Sequence, residues 1–137
     1  MFIAMAPLVG CGGDGGGPAT ESSGSTASAA PSNGLEISAP QMAERIDAVG
    51  PIVLDVRTPA EFEQGHLPGA VNIDVQAPDG PSHLARLDPG GEYAVYCRSG
   101  NRSGTAVEIM REHGITSTYH LAGGIAAWEA AGLAIVQ

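Results

Sequence analysis

The chain has no lysine, and its six basic residues are all arginines, set against fifteen acidic ones for a net charge of -9 at pH 7. That balance argues against a nucleic-acid backbone as partner and against electrostatic attachment to anionic lipid, both of which call for a surplus of positive surface. Aromatic residues make up only 4%, with Trp128 the single tryptophan, so the core has to be built mostly from the Val, Ile, Leu and Ala of a 43% hydrophobic fraction. Cysteine is nearly absent: Cys11 and Cys97 stand in unlike surroundings, and no pair spacing suggests zinc. The four histidines, His66, His83, His113 and His120, lack the short spacings of metal ligands, so neither a metal nor another cofactor is expected. With 137 residues there is room for one domain of ordinary size and a tail, and no room for two domains.

Positive charge is missing from the N-terminal stretch as well, where no basic residue precedes Arg45. Residues 1–10 are uncharged, mostly apolar and too short to cross a bilayer as a helix. They fit the hydrophobic end of a secretory signal, a partial one because the basic n-region is lacking. Leu8-Val9-Gly10-Cys11 resembles the bacterial lipobox, in which signal peptidase cuts before a cysteine whose thiol carries diacylglycerol. Residues 11–34 are rich in Gly, Ser, Ala, Thr and Pro and carry too little apolar bulk to offset their ordering entropy, which predicts a flexible tether. The expectation is an exported protein, lipid-anchored through Cys11 on the outer face of the cytoplasmic membrane or periplasmic, with Cys97 as its remaining free thiol.

From residue 35 to residue 137 the composition is that of a folded domain. Leu35-Glu36-Ile37 reads as a short strand, and Ser38 with Gln41 three residues on and Pro40 in the first turn as a helix start. Met42, Ala43, Ile46 and Val49 continue at helical spacing until Gly50-Pro51. Ile52 to Val56 is a continuous apolar run, interrupted by Asp55, of the kind a strand buried on both faces shows. Thr58, Pro59 and Glu61 mark a second helix start, His66 to Ala70 a turn, and Ala70 to Ile73 another strand. Residues 78–81 read as loop and His83 to Leu87 as at most a short helix. A strand at Tyr93 to Tyr96, a helix from about Ser103 to His113 capped by Gly114, a strand at Thr118 to Leu121 and a helix at Gly124 to Ala131 with Trp128 in the core complete the pattern. Alternating short strands and helices predict an α/β fold with a mainly parallel sheet and helices on both faces.

The chemistry is concentrated between Tyr96 and Ser103. A strand ends in Cys97; Arg98, Ser99, Gly100, Asn101 and Arg102 form a loop; a helix follows. Backbone N–H groups of such a loop and the helix N-terminus point at one spot and favour negative charge there, so the Cys97 thiol should ionise readily. Two of the six arginines lie in this loop of an acidic protein, and Gly100 permits a turn that a Cβ would obstruct. A nucleophilic thiolate, loop amides and nearby positive charge are what covalent catalysis on a compact anionic substrate needs.

Leu54-Asp55-Val56-Arg57 with Pro59 and Glu61-Phe62, Gly65 through Ile73, Tyr96 through Ser103, and Leu121-Ala122-Gly123-Gly124-Ile125 leading to Trp128 together resemble a single-domain rhodanese, a sulfurtransferase. The resemblance covers the domain from about residue 35 to the C-terminus. It implies that Cys97 takes the sulfane sulfur of a donor such as thiosulfate, releases sulfite, holds a persulfide among the loop amides and passes the sulfur to cyanide or a thiol. It further implies that Arg98 and Arg102 bind the sulfonate end of the donor, that Asp55 and Arg57 brace the fold beside the loop, and that no general base is required. Two other readings stand beside it: a rhodanese-like module that carries or senses sulfur without turnover, and an enzyme of the cysteine phosphatase and arsenate reductase kind. The latter place five residues between Cys and Arg, whereas four separate Cys97 from Arg102, a smaller ring that suits one sulfur atom better than a whole phosphate.

Overall fold

The computed structural model describes residues 34–137; Cys11, the lipobox and all but the last residue of the tether lie outside them. Five strands, β1 (Leu35–Ile37), β2 (Ile52–Asp55), β3 (Val71–Asn72), β4 (Tyr93–Tyr96) and β5 (Thr118–Leu121), form one sheet in the order β1-β5-β4-β2-β3. Every strand pairing in it is parallel. The helices are α1 (Ala39–Val49), α2 (Pro59–Gln64), α3 (Gly80–Ala85), α4 (Asn101–Glu112) and α5 (Gly124–Ala130).

Side chains along a strand alternate between the two faces, and the core divides accordingly. Val53, Ala94, Tyr96, Tyr119 and Leu121 face α1 and α5, packing with Met42, Ile125 and Trp128. Leu54, Tyr93, Val95 and Cys97 face the other way, onto Leu84 of α3 and Ala106, Val107 and Met110 of α4. β4 lies at the centre of the sheet with all four residues buried, so the loop that follows it opens at the carboxyl end of the most protected strand. In parallel α/β sheets that is where ligands bind.

Local chemistry sets the helix starts. Ser38 accepts from the Gln41 amide at 3.2 Å while the Gln41 side chain accepts from the Ser38 amide at 2.8 Å, and Thr58 with Glu61 repeats the arrangement at 3.2 and 3.3 Å. Each such box is worth about 1 kcal/mol. Two starts differ from expectation. α3 begins at Gly80, inside the segment expected to be loop, because Pro81 sits in the first turn, where a helix needs no N–H donor. α4 begins at Asn101 rather than Ser103: Gly100, at φ 111°, is the helix cap, so the loop closes two residues sooner and Ser103 is drawn into the first turn. The C-terminal residues fold back on the turn after α2, where the backbones of His66 and Val136 exchange two 2.8 Å hydrogen bonds.

Candidate active site

Cys97 follows β4 directly and points to the α3/α4 side of the sheet. Its side chain is completely buried, so the thiol lies at the floor of the loop rather than at an open mouth. The Gly100 amide donates to Sγ at 3.0 Å, and the Ser103 hydroxyl lies 3.6 Å from it. Burial pushes the thiol pKa up, but the Ser103 hydroxyl and the amides of Ser103, Gly100 and Ser99 outweigh it, and the net shift is downward. The sulfur therefore sits in a ring of donors that reaches one residue further than the segment of residues 98–102.

The loop is held against the start of α5 by an unusually close approach. The Ile125 amide donates to the Cys97 carbonyl at 2.9 Å. A Cβ on Gly124, which has φ 62°, would lie 2.3 Å from the Arg98 carbonyl carbon and oxygen. Only glycine fits there, which explains the Gly123-Gly124 pair in physical terms.

The two loop arginines have different surroundings. Arg102, on α4, gives both terminal nitrogens to Glu61 of α2, at 2.8 and 3.0 Å. Arg98 is exposed and makes no ion pair or side-chain hydrogen bond among the described residues. It borders a cavity of about 290 Å³ whose wall also includes Arg57, Glu61, Ile125 and Glu129. Ser99 and Asn101 are exposed at the rim.

Glu61 is thus more than a helix cap. The Arg102 guanidinium, opposed by some burial and helped by Thr58, holds its carboxyl down from 4.5 to about 2. A carboxyl with a depressed folded-state pKa contributes stability that is present above its unfolded value and is lost as pH falls through its folded value. Denaturant titrations should therefore show the protein losing stability between about pH 4.5 and pH 2 in a way that Glu61→Gln does not. Solvent screening at this partly exposed pair limits the difference to about 1 kcal/mol. Parallel curves through that window would show that the pair contributes nothing.

Asp55 and Arg57 form a buried brace beside the loop. Asp55 accepts from the Arg57 amide and Nε at 2.9 Å, from Nη2 at 2.6 Å and from the Tyr96 hydroxyl at 2.6 Å. Arg57 Nη2 also donates to the Gly65 carbonyl at 2.7 Å, and the Leu67 amide donates to the Tyr96 hydroxyl at 3.1 Å. The carboxylate so ties the end of β2, the turn at residues 65–67 and the residue before Cys97 together. His66 is a turn residue, its Nδ1 2.9 Å from the Phe62 carbonyl and its ring stacked on Phe62.

Residue patterns alone did not reveal two members of the site. Ser103 closes the sulfur ring, and behind it His120 Nδ1 lies 3.1 Å from the Ser103 hydroxyl. The signal for His120 is its place: a lone histidine inside a strand that is otherwise apolar or uncharged and wholly buried.

A ring of donors surrounds one ionisable thiol at the carboxyl end of the central strand of a parallel sheet, an arrangement in which a thiolate can serve as a nucleophile. More narrowly, the chain belongs to the rhodanese-like domain family, whose model matches residues 38–131. It is 33% identical over 102 residues to a sulfurtransferase of Allochromatium vinosum, an alignment spanning 74% of this chain and 94% of that protein. It is 38% identical over 97 residues to an uncharacterized protein of Synechocystis, covering 71% of this chain and 52% of the relative, so it spans about half of that protein's length. Among solved structures, a rhodanese-related protein from Thermoplasma volcanium superposes with a TM-score of 0.62 at 34% identity, over 74% of this chain and 97% of the other. The fold, five parallel strands between helices, is that of this family.

Proposed function

We propose that the protein is a sulfurtransferase that moves a sulfane sulfur from a compact anionic donor such as thiosulfate, through a Cys97 persulfide, to a thiophile: cyanide in an assay, a thiol in the cell. The observation that carries this is the Cys97 sulfur, its pKa lowered by amide and hydroxyl donors aimed at one atom. In the first half-reaction the thiolate attacks the terminal sulfur of thiosulfate. The donor's S–S bond breaks, sulfite leaves with the electron pair, and the Cys97 persulfide remains. In the second, the thiophile attacks the outer sulfur and the thiolate is restored, with no net oxidation or reduction of the protein. Arg98 is the guanidinium available for the sulfonate, while Arg102 is tied to Glu61 and contributes mainly by fixing α2 against α4. Ser99, Gly100 and Asn101 supply the loop that encloses the transferred sulfur.

Thiosulfate and cyanide mixed with the protein should yield thiocyanate, and thiosulfate alone should add one sulfur to its intact mass. Persulfide without thiocyanate would favour the sulfur-carrying module, and neither product would overturn the transferase reading.

Residues 8–11 and the polar tether after them support a lipid anchor at Cys11, which puts the domain outside the cytoplasm, on the membrane surface or in the periplasm. With Cys11 acylated, the persulfide has to be discharged by a partner's thiol. Expressed in a bacterium, the full chain should partition into membranes and Cys11→Ala should release it to the soluble fraction. Recovery of the unaltered chain as a soluble protein would refute the anchor.

A further inference from the structure

The donors around Cys97 do not end at Ser103. The Ser103 hydroxyl carries one proton and faces three groups: the Gly100 carbonyl at 3.1 Å, Cys97 Sγ at 3.6 Å and His120 Nδ1 at 3.1 Å. Sheet geometry makes this meeting unavoidable. His120 on β5 is in register with Val95 on β4, so its imidazole projects from the same face as Val95 and, two residues on, Cys97. Serine at position 103 lies in the first turn of α4 and bridges the two. The cluster is closed off: Cys97 and Ser103 are fully buried and His120 is 9% exposed. Within this cluster the hydroxyl and the imidazole are the groups placed to take a proton leaving the thiol.

We propose that His120 is a positioning residue of the active loop, which takes up through the Ser103 hydroxyl the proton that Cys97 releases and so sets how much of the thiol is ionised at neutral pH. This deepens the reading of Cys97 as nucleophile and rests on it. The step balances without any other reactant. The Cys97 S–H bond breaks as its proton passes to Ser103 Oγ, and the hydroxyl's own proton passes to Nδ1. Neutral thiol and imidazole become thiolate and imidazolium, with Ser103 left donating to the sulfur and accepting from the ring.

The surroundings of the ring act on its charge in opposite directions. Glu36 on β1 is in register with His120 from the other side, and its carboxylate favours an imidazolium. Cys97 is the titratable neighbour from the β4 side, and α4 contributes Ser103 and the backbone of Gly104, neither of which titrates. Burial dominates, keeps the imidazole pKa below its ordinary 6.5 and opposes an isolated imidazolium, so the ring holds the proton only as a pair with the Cys97 thiolate beside it.

The test reads thiol ionisation and needs no sulfur transfer, so it can fail while the transferase reading stands, and the reverse. Full-length protein is alkylated with iodoacetamide over a range of pH, and modification is followed by mass spectrometry on the peptide carrying Cys97, which separates it from Cys11. His120→Asn keeps a hydrogen-bonding atom where Nδ1 was but cannot take a proton. It should raise the midpoint of Cys97 alkylation by about one pH unit, slowing the reaction at neutral pH about tenfold. Ser103→Ala should raise it by at least as much, and the double variant no further than Ser103→Ala alone, because both act along one path. A His120→Asn midpoint within about 0.2 units of the parent, or shifts that simply add in the double variant, would overturn the proposal. Circular dichroism and thermal melting of each variant identify any that lose the fold, and Ser103→Ala, a deletion of one atom, keeps the test open if His120→Asn does.

Discussion

Cys97→Ala should abolish thiocyanate formation from thiosulfate and cyanide, with a loss on the order of a thousandfold or more in kcat/KM, since on the proposed route it removes the atom that carries the transferred sulfur. The fold should survive. The Cys97 side chain is buried among Leu84, Val95 and Ala106, and trimming it to a methyl group leaves a void of one sulfur atom, a cost of about 1 kcal/mol. The loop amide of Gly100 loses its acceptor, a second cost of similar size. Cys97→Ser separates the two effects. Its hydroxyl can still accept from that amide, so the loop should keep its shape, but an alcohol does not ionise at neutral pH in this ring and forms no persulfide. Both variants should be inactive, and the serine variant the more stable. Intact mass after thiosulfate treatment should show an added sulfur in the parent and none in either variant. Retention of even one tenth of the parental rate would mean that another group carries the sulfur, and Cys11 is the other thiol in the chain.

The strand-loop-helix around Cys97 was legible because everything that makes it is local. An apolar run, a glycine and a helical period lie consecutively, and the capping boxes at Ser38 and Thr58 are set by residues three apart. Topology was legible in kind, since alternation of strands and helices dictates a parallel sheet, while the strand order rests on long-range packing that short patterns do not encode. The same division runs through the site. Cys97, Gly100 and the asymmetry of an acidic chain with two loop arginines could be seen in order along the chain. Arg102 meeting Glu61 spans 41 residues and Ser103 meeting His120 spans 17. Those contacts exist because β5 lies beside β4 and α2 beside the start of α4, and depth follows the same rule. A motif states that a thiol follows a strand, and only the packing of α3 and α4 against that strand sets the thiol at the buried floor of the loop.

The largest stability effect is expected at Asp55. Its carboxylate is fully buried and accepts from Arg57 and from the Tyr96 hydroxyl, while Arg57 is only 5% exposed. In Asp55→Ala the guanidinium keeps one partner, the Gly65 carbonyl, and stays buried without a counter-charge. Breaking such a pair by removing one member costs about 3–5 kcal/mol, against a total stability of about 5–15 kcal/mol for a domain of this size. Urea denaturation should show the midpoint falling accordingly, and the melting temperature should drop by ten degrees or more, at roughly 4–8 °C per kcal/mol. Removing both charges tests the cause. If the cost comes from an uncompensated cation, Asp55→Ala with Arg57→Met should be more stable than Asp55→Ala alone, although it has lost more hydrogen bonds. If the cost comes from the hydrogen bonds themselves, the double variant should be the less stable of the two. The distinction bears on the loop after β4, because the Tyr96 hydroxyl is held by the same carboxylate and Tyr96 immediately precedes Cys97. A brace that is mainly electrostatic leaves Tyr96 in place once both charges are gone, so the double variant should keep most of its sulfur transfer at temperatures where it is folded. An Asp55→Ala protein within about 1 kcal/mol of the parent would show that the buried pair is not what holds β2, the turn and β4 together.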